Sequence, residues 1–137
     1  MNSFYARIAS TLALAIVLSS SGVGTGKDTP AEQKAKRRSL QFFETKIRPV
    51  LVKHCYECHA ADSEEIGGGL LLDSRDATHK GGESGAAVVP GDVDGSLLIS
   101  ALEYRDFEMP PDAKLPDDVI RDFKRWIASG AADPRNG

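Results

Sequence analysis

The 137-residue sequence predicts a small all-α domain with three to four short helices and glycine-rich loops. Three observations predict it: an amphipathic pattern over residues 40–54, a second over residues 117–127, and a glycine-rich region between them. The composition is ordinary, with 41% apolar and 27% charged residues, so collagen-like and fully disordered classes are excluded. A chain of this length has room for one sizeable core.

The first predicted helix covers residues 40–54, whose apolar side chains recur at helical spacing. These positions are Leu40, Phe43, Ile47, Val50, Leu51 and His54. Pro49 removes one amide hydrogen bond, so we expect a kink or an interruption there. Beyond the helix, glycines at 67–69, 81–82, 85, 91 and 95 leave no span for a long helix. The short apolar patches 70–72 and 86–89 are expected as loop or brief strand.

Two further helices are predicted in the second half of the chain. One begins near Asp94 or Ser96, either of which can cap it, and runs to Tyr104. The last begins at residues 117–118, whose carboxylates favour a helix N-terminus, and ends before Gly130. Its apolar stripe consists of Val119, Ile120, Phe123, Trp126 and Ile127. Helices this short bury little surface among themselves, so we expect another group to fill the interior.

The N-terminus, residues 1–26, is predicted to be a signal peptide or an N-terminal anchor. Arg7 precedes an uncharged apolar run over residues 8–18, and small residues follow. At about 1.5 Å per helical residue, that run is too short for a hydrocarbon core of about 30 Å. Cleavage after Ser21 or after Gly26 is compatible with the sequence, and no cysteine is present there for a lipoprotein. We therefore expect export to the periplasm or an equivalent compartment, with membrane association only if the segment stays uncleaved.

The charge distribution divides the remaining chain into a basic and an acidic part. Residues 27–39 carry five basic and two acidic side chains and lack an apolar period, which predicts a flexible charged linker. Residues 40–133 are the predicted domain, followed by a short tail at 134–137. Residues 40–137 carry 11 basic and 18 acidic side chains, a net charge of −7. This balance argues against nucleic-acid binding and favours a partner with a positively charged docking face.

The chemistry of the chain is predicted by the sequence Cys-Tyr-Glu-Cys-His at residues 55–59. C-x-x-C-H is the attachment sequence of c-type haem. Two thiols three residues apart on a helical turn can each form a thioether with a haem vinyl group, and the next residue supplies an imidazole to the iron. Cys55 and Cys58 are the predicted covalent anchors of one haem c, and His59 is the predicted proximal iron ligand.

Three other kinds of site can use two cysteines in this spacing: a redox dithiol, a zinc site and a disulfide. A thioredoxin-like dithiol sits after a strand in a βαβ unit, and no such pattern precedes Cys55. A zinc site needs four ligands, and outside the motif only His54 and His79 are available. A disulfide between Cys55 and Cys58 would close a very small, strained loop.

Met109 is the predicted sixth ligand. It lies about fifty residues after the motif, and two prolines that follow it stiffen its loop. A thioether is a weak, soft ligand that favours ferrous iron and raises the reduction potential. The competing ligand is His79, which we expect instead to be a solvated histidine in a Lys-Gly-Gly loop. A methionine that merely fills a gap in the core is the plain alternative.

The succession of motifs resembles the planctomycete-type cytochrome c domain. The resemblance is carried by FFETKIRPVLVKHCYECH, GGGLLLDSR, KGGESGAAVVPGD, SLLISAL, MPPDAKLPDD and WIASGA. It implies a class I-like cytochrome c fold, in which the terminal helices cross beside the haem, with thioethers at Cys55 and Cys58 and axial ligands His59 and Met109. Within that fold, the side chains expected to pack between helices and against the haem are Phe43, Ile47, Trp126 and Ile127. Pro116 departs from the family, because a capping serine is usual there.

The predicted function is single-electron transfer by an exported monohaem cytochrome, and not enzymatic catalysis. Because the sequence ends soon after the last helix, we expect the redox partner to be a separate polypeptide. The alternative function is a haem-based gas-binding or sensing module, in which the sixth ligand is labile or absent. A peroxidase ranks third, since it needs open iron and distal acid–base groups.

Overall fold

A computed structural model describes residues 28–136 as an array of helices joined by loops. The first part of the chain forms α1 (Pro30–Phe42), a π-helical segment (Phe43–Ile47), α2 (Arg48–His54) and the single turn α3 (Tyr56–His59). A 3₁₀ turn (Gly67–Gly69), α4 (Arg75–Lys80), α5 (Leu97–Leu102) and α6 (Asp117–Ala128) follow. The described residues include two isolated β-bridges and no strand, which confirms the all-α class. The predicted signal segment lies outside the described residues.

Pro49 marks the interruption that the sequence predicts in the first helix. The hydrogen-bond pattern widens into π turns over Phe43–Ile47 and returns to α at Arg48. Pro49 then stands in the first turn of α2, where its missing amide breaks no helical bond. Phe43 and Ile47 of the π-helical segment are fully buried, and Leu51 of α2 is 1% exposed, so both parts of this run face the core.

The prediction of a flexible linker over residues 27–39 is wrong from Pro30 onward, because α1 begins there. The hydroxyl of Thr29 accepts a bond from the amide of Glu32, whose carboxylate accepts one from the amide of Thr29 at 2.7 Å. This reciprocal capping box nucleates the helix, and its T-x-x-E signature is visible in the sequence. No residue of α1 is buried, so its polar, solvated character is as predicted.

The absence of buried residues in α1 predicts that this helix contributes little to the stability of the domain. Replacing the exposed Ala35 by proline should melt part of α1 and change the free energy of unfolding by less than about 0.5 kcal/mol. Asp122→Pro, in the middle of α6, is the matched control and should cost about 3 kcal/mol or more. Urea unfolding followed by circular dichroism measures both. A large loss of stability in Ala35→Pro would show that more of α1 than its end at Phe42 packs on the domain.

The core lies where α6 crosses the π-helical segment. Trp126 lies beside two phenylalanines, with ring centroids 5.6 Å from Phe43 and 6.2 Å from Phe123. The bounds of α6 agree with the prediction, and Gly130 follows its end with a φ of 99°, a conformation that favours glycine. Pro116 stands at the N-cap and supplies no side-chain hydrogen bond, as its departure from the family predicts.

The middle of the chain contains one helix that was predicted and one that was not. Ser96 precedes α5, but its hydroxyl bonds to the backbone of Val89 and Asp92 instead of capping the helix. α5 ends at Leu102, two residues before the predicted end. α4 was not predicted, because its six residues carry no apolar stripe; Ser74 caps it. Within the described residues, none of the helices combines the length and the apolar character required to span a bilayer.

Candidate cofactor site

A cavity of about 910 Å³ separates two walls of the domain. One wall is formed by the end of α2, α3 and the segment after it; the other by α5 and residues 107–116. The cavity brings together the four predicted site residues, Cys55, Cys58, His59 and Met109. Apolar side chains cover much of the rest, among them Leu70, Leu97, Leu98, Leu102, Leu115 and Val119. Its size and its apolar lining are typical of a site for a small molecule.

The two cysteines lie on a single helical turn that follows a break after α2. Cys55 has a φ of −125°, and its carbonyl accepts bonds from the amides of Cys58 at 3.2 Å and His59 at 2.9 Å. Both thiols are free. Burial raises the pKa of the Cys55 thiol to about 11, so this thiol is neutral in the cavity. The turn therefore presents two thiols and an imidazole to the same space.

The His59 ring is held by the backbone of the segment that follows it. Its Nδ1 lies 3.1 Å from the carbonyl oxygen of Leu70. Because a carbonyl can only accept, Nδ1 is the donor in this contact, which in the neutral ring leaves the lone pair on Nε2. A Cβ on Gly67 would stand 3.1 Å from the ring carbon Cε1, so glycine allows this close approach. The ring thus has one fixed nitrogen and one that is free to bind a metal.

Met109 belongs to a bend that hydrogen bonds attach to α5. Its amide donates to the carbonyl of Ala101 at 3.3 Å, and the Tyr104 hydroxyl donates to the carbonyl of Pro110. The peptide bond between Met109 and Pro110 is cis. Met109 lines the cavity with 38% of its surface exposed. Nothing in the sequence indicates the role of Tyr104 in this bend.

The two remaining histidines of the chain are His54 and His79. His79 lies in α4 and is not among the residues that line the cavity. The expectation that it is solvated is wrong for its Nε2, which is buried and has no hydrogen-bond partner among the described residues. His54 is exposed and borders the cavity beside the cysteines.

Four predicted packing residues are buried between helices, as expected, but away from the cavity. They are Phe43, Ile47, Trp126 and Ile127. None of them is among the lining residues of the cavity, which corrects the expectation that they also contact the cofactor. Phe43 and Ile47 belong to the π-helical segment and Trp126 and Ile127 to α6, and these two elements are in contact where they cross.

The alternative cysteine sites can be compared with this geometry. Cys55 follows a helix, whereas a thioredoxin-like dithiol follows a strand. Within residues 28–136, no three His, Cys, Asp or Glu side chains form a group that could hold a metal ion, as a zinc site of that kind would need.

Residues 55–113 match the family model described as Planctomycete cytochrome C. Over this segment the chain is similar to that family. The match begins at the first cysteine of the motif and ends after Met109, so it spans both walls of the cavity. No curated protein and no solved structure matches the chain. Cytochrome c domains of this family are typically extracytoplasmic.

The cavity of this domain fits the haem that the matching family implies. Three of its properties agree with a covalently attached iron porphyrin: apolar walls, two neighbouring thiols, and an imidazole whose Nε2 is free. Glycines reduce the bulk of the walls, since Gly67, Gly68, Gly82 and Gly85 line the cavity. The family and the cysteine spacing indicate a protein that binds haem c.

Proposed function

We propose that this protein is an exported cytochrome c that carries single electrons between redox partners. Cys55 and Cys58 would hold one haem covalently, and His59 and Met109 would be the two protein ligands of its iron. The observation that supports this most is that these four side chains line one apolar cavity, whereas His79 lies outside it. Two protein ligands leave no open coordination position for a substrate, so the proposal assigns no enzymatic activity.

Each wall of the cavity has a separate role in this proposal. When bound, haem supplies a one-electron iron couple. Cys55 and Cys58 would hold the cofactor covalently against the α3 turn through thioether bonds. The Leu70 carbonyl accepts the Nδ1 proton of His59 and makes Nε2 a stronger donor. Met109 is a weak, soft donor that stabilises the reduced state and raises the potential.

The surface around the cavity is where we expect a redox partner to dock. Phe107 and Met109 line the cavity and remain 41% and 38% exposed, respectively. The acidic domain favours a partner with a positively charged face, and such attraction accelerates encounter most at low salt. The rate of electron transfer to a basic partner should therefore fall as salt is added.

Covalent attachment is tested with protein made in a host that has a cytochrome c maturation system. Wild-type protein should give a pyridine haemochrome spectrum and keep its haem through acid–acetone extraction, whereas Cys55→Ala/Cys58→Ala should lose it. Colourless wild-type protein with two titratable thiols would overturn the proposal.

The sixth ligand is tested by comparing Met109→Ala with His79→Ala. We expect Met109→Ala to lose the ferric charge-transfer band that sulfur ligation produces and to lower the reduction potential, because a soft donor to ferrous iron is removed. His79→Ala is the matched control and should keep both. The opposite pattern would make His79 the ligand.

A second candidate function, gas binding, is favoured by the position of Met109 on a loop outside any helix. A ligand on a loop is the kind of ligand that can dissociate and leave an open position on iron. Carbon monoxide binding by reduced wild-type protein, at a rate that Met109→Ala does not increase, would support gas binding over electron transfer.

A further inference from the structure

The C-terminal segment carries a buried ion pair outside the matched family segment. The side chains of Asp133 and Arg135 are 1% and 8% exposed. Nε and Nη2 of Arg135 donate to the carboxylate of Asp133 at 2.9 and 2.5 Å. Burial alone would lower the pKa of Arg135, but the bonds and the charge of Asp133 outweigh it and raise that pKa. Arg135 therefore stays charged in a place where an isolated charge would be costly.

The remaining guanidinium nitrogen of Arg135 contacts the wall that holds His59. Nη1 donates to the carbonyl of Leu72 at 2.6 Å and to the hydroxyl of Tyr56 at 2.5 Å. The guanidinium carbon also lies 4.8 Å from the ring centroid of Phe43. One side chain from the end of the chain thus joins the α3 turn, the segment after it and the core.

Hydrogen bonds at both ends of the segment 70–72 connect Arg135 to the imidazole of His59. The Leu72 carbonyl binds Arg135, while the Leu72 amide donates to the carbonyl of His59 at 2.7 Å. Two residues earlier, the Leu70 carbonyl is the partner of the His59 Nδ1. The segment 70–72 is therefore fixed by Arg135 on one side and orients the His59 ring on the other.

We infer that Arg135 is a positioning residue for His59 and acts through residues 70–72. This inference rests on the proposed haem ligation. If Arg135 releases the Leu72 carbonyl, the segment gains freedom and the Leu70 carbonyl holds the Nδ1 proton less well. His59 then becomes a weaker donor, which disfavours ferric iron, so the reduction potential rises.

The decisive variant is Asp133→Asn/Arg135→Met, which keeps the net charge and removes the donor to Leu72. We expect it to carry covalent haem, to have a more positive reduction potential than wild type, and to exchange the His59 ring N–H about tenfold faster in the reduced state. Spectroelectrochemical titration and NMR exchange measure these. Arg135→Lys keeps the buried charge but loses the planar fork, so it should shift both quantities in the same direction by less.

Two controls separate positioning from general destabilisation. Arg125 lies 5.0 Å from the ring centroid of Phe42 on the surface, so Arg125→Met removes a similar contact without a bond to the wall. Phe123→Leu destabilises the core through α6. Both should keep the wild-type potential.

The results for these variants test the inference on Arg135 separately from the proposed function. A wild-type potential and exchange rate in folded Asp133→Asn/Arg135→Met overturns the inference and leaves the proposed function intact; if that variant does not fold, wild-type values in Arg135→Lys overturn it. Equal shifts in Phe123→Leu overturn it too. Wild-type protein without covalent haem overturns the proposed function, and the inference with it.

Discussion

Protein made without covalent haem is expected to lose its cooperative thermal transition. Without haem, the apolar walls of the cavity of about 910 Å³ would face water, and nothing would pack between them. The two walls should therefore collapse or separate when nothing fills the space between them.

Differential scanning calorimetry and circular dichroism of Cys55→Ala/Cys58→Ala measure this effect. Met109→Ala is the control, since it keeps both thioethers and should retain a transition, at a lower temperature. A native spectrum and a sharp transition in the double variant would contradict the prediction. They would show that the crossing of α6 with the π-helical segment supports the fold alone.

The helices with an apolar stripe were predictable, because burial of that stripe drives their formation. α6 is the clearest case, with the predicted bounds and Gly130 after its end. α4 has no stripe and depends on the cap at Ser74, so periodicity does not reveal it. α1 was missed for the same reason: it has a capping box at Thr29 but no apolar stripe, so periodicity does not reveal it either.

Some parts of the site can also be predicted from neighbouring residues in the sequence, whereas others depend on contacts that only the folded chain makes. Cys55, Cys58 and His59 are contiguous, so their spacing alone predicts a shared turn, and the family match supports that interpretation. The Leu70 carbonyl was not predictable, because every residue has a backbone carbonyl and only the folded chain shows which one meets Nδ1. Arg135 was assigned to a tail, since its partners at positions 56 and 72 are far away in sequence.

Trp126→Ala is expected to lower the free energy of unfolding of the haem-containing protein by about 3–5 kcal/mol. Trp126 is 1% exposed and packs against Phe43 and Phe123, so the shortened side chain leaves a cavity where α6 meets the π-helical segment. Its Nε1 also donates to the carbonyl of Ala132 at 2.9 Å. That bond attaches the end of the chain to α6, next to the buried Asp133. Urea unfolding followed by far-ultraviolet circular dichroism measures the loss.

Trp126→Phe is the control that separates packing from electron transfer. Phenylalanine keeps most of the ring contact and loses the bond to Ala132, so we expect a cost of about 1–2 kcal/mol. Because Trp126 is not among the residues that line the cavity, the rate of electron transfer in Trp126→Phe should equal that of wild type. A phenylalanine cannot be oxidised readily by the partner or the cofactor. A stable Trp126→Phe protein with a slowed rate would therefore make Trp126 an electron relay instead of a packing residue.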